Sequence, residues 1–145
     1  MSDDSDIDLA TRLFAAWSSG DPDAPADLFA PDGVLFDTVG GTHHGWEEVR
    51  KFFADGVAAW SDLELVPERF WTTDDGVALT WTMSATVPDD RFGAEAQGKK
   101  WKAPGMTELV IRDEPDGRRM VVYEADHWNG GAIARSLKDT KWDKP

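Results

Sequence analysis

The chain contains no cysteine and a single tyrosine, and only 15 basic residues stand against 28 acidic ones. The missing cysteines exclude a disulfide framework and any thiolate zinc site, and they fit a reducing, cytoplasmic setting. Nowhere is there an apolar run of the roughly 18 residues that a membrane-spanning helix needs. The opening MSDDSDIDLATR also lacks the basic and apolar regions of a secretory leader. A net charge of −13 argues against nucleic-acid and anionic-membrane partners, both of which need a basic footprint. No histidine pair with a carboxylate has helical metal-ligand spacing, and Gly40-Gly41 is too little for a phosphate loop, so no metal or other cofactor is expected. Neither a repeat nor a linker interrupts the sequence. A single domain over residues 1–145 is expected, with its core at about 7–130 and a polar tail after about 138.

What the chain has in excess is tryptophan, eight of them in 145 residues. Several such side chains together can line a cavity that aliphatic residues would simply fill. Ile7, Leu9, Leu13, Phe14 and Trp17 fall at helical spacing, which predicts a helix over 6–19 ending at Gly20. Asp21-Pro22-Asp23 offers a cap for a short second helix over Ala24–Phe29. After the turn signal Pro31-Asp32-Gly33 comes a short strand, Val34–Asp37, and then a glycine-rich loop that carries His43 and His44. Trp46, Val49, Phe52, Phe53, Val57 and Trp60 predict the strongest helix, over 46–60.

From Leu63 onward the period is two. One strand runs through Trp71, interrupted at Pro67, and another over Val77–Val87 points Val77, Leu79, Trp81, Met83 and Ala85 to one face. A third, over Lys99–Arg112, is expected to bulge at Pro104-Gly105, and a fourth covers Arg119–Trp128. Residues 131–138 suit a short closing helix. Helices followed by a meander make an α+β fold. The expectation is a cone-shaped, curved antiparallel sheet with three N-terminal helices packed on its concave face.

This order, with Gly20-Asp21 closing the first helix, then LFAPDGVLFD and GGTHHGWEEVRKFF, resembles the nuclear transport factor 2-like superfamily in its ketosteroid isomerase-like and SnoaL-like branch. The resemblance implies cofactor-independent acid–base chemistry on an apolar polycyclic or terpenoid carbonyl compound: isomerisation, cyclisation or dehydration. It also implies a homodimer. The same fold serves non-catalytic modules that only bind an apolar ligand or dimerise, so both readings stay open. Phe36-Asp37-Thr38-Val39-Gly40 resembles the ketosteroid isomerase segment that carries the general base, which places that role on Asp37. The oxyanion donors of that enzyme correspond here to Leu13 and Met106, neither of which can donate. Glu124-Ala125-Asp126-His127-Trp128 resembles the final strand of limonene epoxide hydrolase and SnoaL-like chains, where an aspartate points inward; Asp126 takes that place. The hydrolase's arginine and second aspartate have no counterpart on the preceding strand.

The candidate catalytic residues are therefore Asp37, Asp126 and, as a proton carrier at the rim, His44. Leu13, Phe14, Trp17, Phe29, Phe53, Trp60, Trp81, Met83, Met106 and Trp128 are the expected wall. Two carboxyl groups converging in an apolar cavity push their titrations apart, giving one acid and one base.

Overall fold

The computed structural model describes residues 3–139 and 141; Trp142 and most of the expected polar tail lie outside them. Helix α1 spans Asp3–Trp17, and α2 spans Gly45–Ala59. Strands follow as β1 Phe29–Asp37, β2 Gly41–His44, β3 Glu64–Thr73, β4 Gly76–Thr86, β5 Lys100–Asp113 and β6 Arg119–Trp128, and α3 closes the order at Gly131–Ser136. All six strands form one open sheet in the order β2-β1-β6-β5-β4-β3.

The α+β class stands, but two parts of the expected architecture are corrected. The segment after Gly20 is only a four-residue 3-10 turn, Ala24–Asp27, so two α-helices precede the meander and the third follows it. The segment has little room to be longer, because the chain enters β1 at Phe29. Nor is the sheet wholly antiparallel: β1 runs parallel to β6 and antiparallel to β2. β1 also extends further back than Val34. Pro31-Asp32-Gly33, expected as a turn, forms instead an irregularity in the β1–β6 pairing between Phe29 and Val34.

Packing follows the two periodicities. On β4, Val77, Leu79, Trp81, Met83 and Ala85 are buried, and they meet Leu9, Leu13, Phe14 and Trp17 of α1 and Val49 and Phe53 of α2 in one cluster. Each such large side chain taken from water contributes on the order of 2–3 kcal/mol. β5 keeps unbroken pairing with β4 through Pro104 and Gly105, so the bulge expected there is absent. The β6 pairing ends with Trp128 opposite Gly105, which leaves Pro104 at an edge where its missing N–H has no partner to lose. The real irregularity lies further on, between Val110 and Ile111, where Val122 of β6 is left without a partner. It resets the alternation: Val121 joins the core at 0% exposure, while Val122 is half-buried.

Candidate functional site

A cavity of about 430 Å³ opens between the sheet and the helices, within the usual range for a small-molecule site. Trp17, Phe52, Phe53, Trp60, Trp81, Trp101 and Trp128 give it aromatic walls, and Leu35, Leu63, Leu65, Met83 and Ile133 add aliphatic surface. Its polar lining consists of carboxyl groups: Asp37, Glu124, Asp126 and, on the exposed side of α2, Asp55. Among the described residues, no lysine, arginine or histidine lines it.

Strand register brings three of these carboxyls together. Asp37 at the end of β1 lies opposite Asp126 of β6, and Leu35 lies opposite Glu124. On the other side of β6, Thr107 of β5 faces Asp126. Thr107 Oγ1 donates to Asp126 Oδ1 at 2.6 Å and accepts from Trp81 Nε1 at 2.8 Å. The indole can lie across β5 because residue 105 is glycine; a Cβ there would run into the Trp81 ring. Trp17 Nε1, at the end of α1, donates to Glu124 Oε1 at 3.1 Å.

Glu124 and Asp126 are two residues apart on one face of β6, 1% and 9% exposed. Burial in this apolar setting drives the Glu124 carboxyl well above its ordinary range. The neighbouring Asp126 charge pushes it the same way, while the Trp17 N–H opposes the rise. Both carboxyls of the pair are thus shifted toward their protonated forms. Burial also raises Asp126, to about 6, against the lowering effect of the Glu124 and Thr107 hydrogen bonds. Two carboxyls this close titrate as a pair rather than singly.

Asp37 is held differently. Its Oδ1 accepts from the backbone N–H groups of Val39 and Gly40, both at 2.8 Å, which fixes the turn between β1 and β2. Trp128 Nε1 reaches both oxygens, at 3.2 and 3.1 Å. Oδ2 has only the Trp128 bond, and Asp37 lines the same cavity as the pair.

Of the side chains anticipated from sequence, Asp37, Asp126, Trp17, Phe53, Trp60, Trp81, Met83 and Trp128 line the cavity. Leu13, Phe14 and Phe29 do not; they are packed behind the wall at 0–1% exposure. Met106 is a correction, being 46% exposed and on the opposite face of β5, because the inward positions there are Trp101, Ala103, Gly105 and Thr107. His44 is a second correction. It precedes the first residue of α2 with its side chain in solvent, and its backbone N–H is taken by Glu48. His43 stacks on the outer side of Phe52 and bonds the Gly40 carbonyl. Glu124, Thr107 and Trp101 were not singled out, although strand alternation places all three inward.

A model of the SnoaL-like domain matches residues 10–122. Among curated proteins, none matches the sequence. Solved structures with the same fold include a hypothetical protein from Catenulispora acidiphila, described as having a ketosteroid isomerase-like fold and bound to trimethylamine. It is 21% identical, with 94% of this chain and 97% of that one covered at a TM-score of 0.74. IdmH from Streptomyces antibioticus, provisionally a polyketide cyclase, is 20% identical over 92% and 99% of the two chains, with a TM-score of 0.77. AclR from Streptomyces galilaeus, provisionally a hydroxylase, is 24% identical over 94% and 97%, with a TM-score of 0.72. At these identities the likeness speaks for the fold, while the match of the family model covers most of the chain: the protein belongs to the SnoaL-like domain family.

Proposed function

We propose that the protein is a cofactor-independent acid–base enzyme acting on an apolar, polycyclic or terpenoid carbonyl compound, which it isomerises, cyclises or dehydrates inside a cone-like curl of the sheet. The observation that carries this reading is the buried Glu124–Asp126 pair at the wall of an aromatic cavity. An acid held protonated beside a base that titrates near 6 suits proton transfer next to a carbonyl at neutral pH. In this scheme Asp126 removes a proton from carbon and Glu124 delivers one to the carbonyl oxygen; return of the protons at other positions completes an isomerisation. Thr107 orients Asp126, and Asp37, expected from sequence as the base, is the third carboxyl beside the pair and holds Trp128 in place. The rival reading is a pocket that only binds an apolar ligand.

The deciding experiment is solvent exchange. Bound ketones with α-protons, taken from enone and polyketide-like panels, are incubated with the protein in deuterated water and followed by NMR. Catalysed deuterium uptake at the α-carbon is expected. If ketones bind and none exchanges faster than without protein, the binding-only reading replaces this one.

A homodimer through the outer face of the sheet belongs to the same proposal. Val66, Trp71 and Met106 are 41–46% exposed and lie across from Thr82, Ala78 and Thr80, the outward positions of β4. Sedimentation should give twice the mass of the 16.1 kDa chain, and Met106→Lys should shift it toward the monomer.

A further inference from the structure

Three of the cavity tryptophans have a partner for their indole N–H: Trp17 bonds Glu124, Trp81 bonds Thr107 and Trp128 bonds Asp37. Trp101 does not. It lines the cavity and is 1% exposed, yet its Nε1 is buried without an acceptor among the described residues. A native fold rarely leaves such a donor unsatisfied, because it keeps the desolvation penalty and gains no bond.

The location is as informative as the vacancy. Trp101 is six positions along β5 from Thr107, roughly 20 Å of extended backbone at about 3.3 Å per residue. The carboxyl pair and the idle donor thus come from positions well apart along the strands that line the cavity. Trp60 is the neighbour that shields the indole, edge against face at 5.2 Å and 72°. It is half-buried at the end of α2, with Arg91 and Phe92 of the β4–β5 loop against its ring. For a ligand oxygen to meet the N–H, Trp60 has to move aside.

We propose that the Trp101 indole N–H holds a hydrogen-bond acceptor of the substrate, a carbonyl or ether oxygen far from the reacting carbons. The substrate is then an elongated ring compound with oxygen functions toward both ends. This rests on the acid–base reading of the cavity, and it adds to that reading a neutral donor remote from the carboxyl pair. Binding energy gained at the remote end would serve to place the reacting end against Asp126 and Glu124.

The test compares 9-fluorenone with fluorene, the same three-ring frame with and without a ketone oxygen. Fluorenone has no α-proton, so its binding is independent of turnover. The proposal expects fluorenone to bind about tenfold more tightly than fluorene, a preference that Trp101→Phe abolishes by weakening fluorenone alone. In wild-type protein labelled with nitrogen-15, the Trp101 indole proton should move downfield with fluorenone and stay in place with fluorene. Without ligand, Trp101→Phe should melt only a few degrees below wild type, the cost of its smaller ring. Equal affinities, an unmoved indole proton, or binding of neither compound would overturn the proposal. So would a marked loss of unliganded stability in Trp101→Phe, since the N–H would then be serving the face of the Trp60 ring. If the indole reports fluorenone while no ketone exchanges its α-protons, the acid–base reading falls and the Trp101 contact stands.

Discussion

Asp6 on α1 and Asp126 on β6 are both 9% exposed, and their surroundings differ in kind. Asp6 meets Arg119 through two parallel hydrogen bonds, at 2.7 and 3.0 Å, which neutralise its charge and tie α1 to the start of β6. Arg119 is correspondingly raised, first by that hydrogen bond. Asp126 has no cation. Its partners are the Thr107 hydroxyl and the Glu124 acid, and it faces a cavity without any basic lining residue. A buried charge with a matched cation is a structural joint, whereas an acid pair left to share one proton is costly to stability and useful to chemistry. The difference separates the two roles without reference to any relative.

The largest effects should follow from exchanging the roles' key atoms. Asp126→Asn keeps the shape and removes the base, so ketone turnover should fall by about 10²–10⁴-fold with affinity for a bound ketone nearly unchanged. Asp6→Asn should leave the rate alone. If both variants lose activity equally, Asp126 acts only through the fold and the contrast collapses. Arg119→Met makes the opposite cut. It strands the Asp6 carboxylate in a largely buried setting and should destabilise the protein by roughly 2–4 kcal/mol in urea unfolding, with kcat of the folded fraction preserved. A smaller effect is expected from Thr107→Val, which removes the hydroxyl between Trp81 and Asp126. One buried hydrogen bond lost on each side amounts to about 1–2 kcal/mol, measurable as lower stability together with a rate reduced severalfold.

Much of this contrast was legible in the residues themselves. Alternation on β4 identified Trp81 and Met83 as inward, the family resemblance of the last strand pointed to Asp126, and period-two alternation on β6 agrees with it. It gave Glu124 the same face, yet a glutamate beside the motif-bearing aspartate drew no attention; two carboxyls at i and i+2 on a buried strand were the signal. Met106 was placed by counting from a family motif, while alternation from Trp101 through Ala103 and Gly105 leads to Thr107. His44 could not be oriented before it was known that α2 begins at Gly45, which turns it outward. The edge strand β2 carries no periodicity, since Gly40-Gly41-Thr42-His43-His44 offers one glycine-rich, polar run. The parallel pairing of β1 with β6 joins segments about 90 positions apart, and no local pattern records it. That pairing is what sets Asp37 beside Asp126, so the meeting of the carboxyls was the least accessible feature of all.

The finest test of the contrast is the dependence of stability on pH. Asp126 is raised from an ordinary carboxylate value of 3.8 to about 6, and Glu124 is raised well above its own, both chiefly by burial. Between the unfolded and folded values the native state binds more protons than the unfolded chain, so this pair makes stability fall as pH rises. The penalty is absent below the unfolded values, grows through about pH 4–6, and is complete for Asp126 above 6. Arg119 beside Asp6 is raised still further by that pairing and stays charged throughout this window. Asp23, Asp62, Asp89 and Asp116, all lowered by hydrogen bonds, lose their favourable contribution only as pH falls to their depressed values, below this window. Thermal melts of wild type against the double variant Glu124→Gln with Asp126→Asn should therefore diverge in one direction. From pH 5 to 7.5 the wild type should lose roughly 1–2 kcal/mol relative to the variant, about 3–6 °C in Tm. Parallel curves for wild type and the double variant would mean that the two carboxyls titrate as exposed acids do, and the distinction between joint and acid pair would be lost.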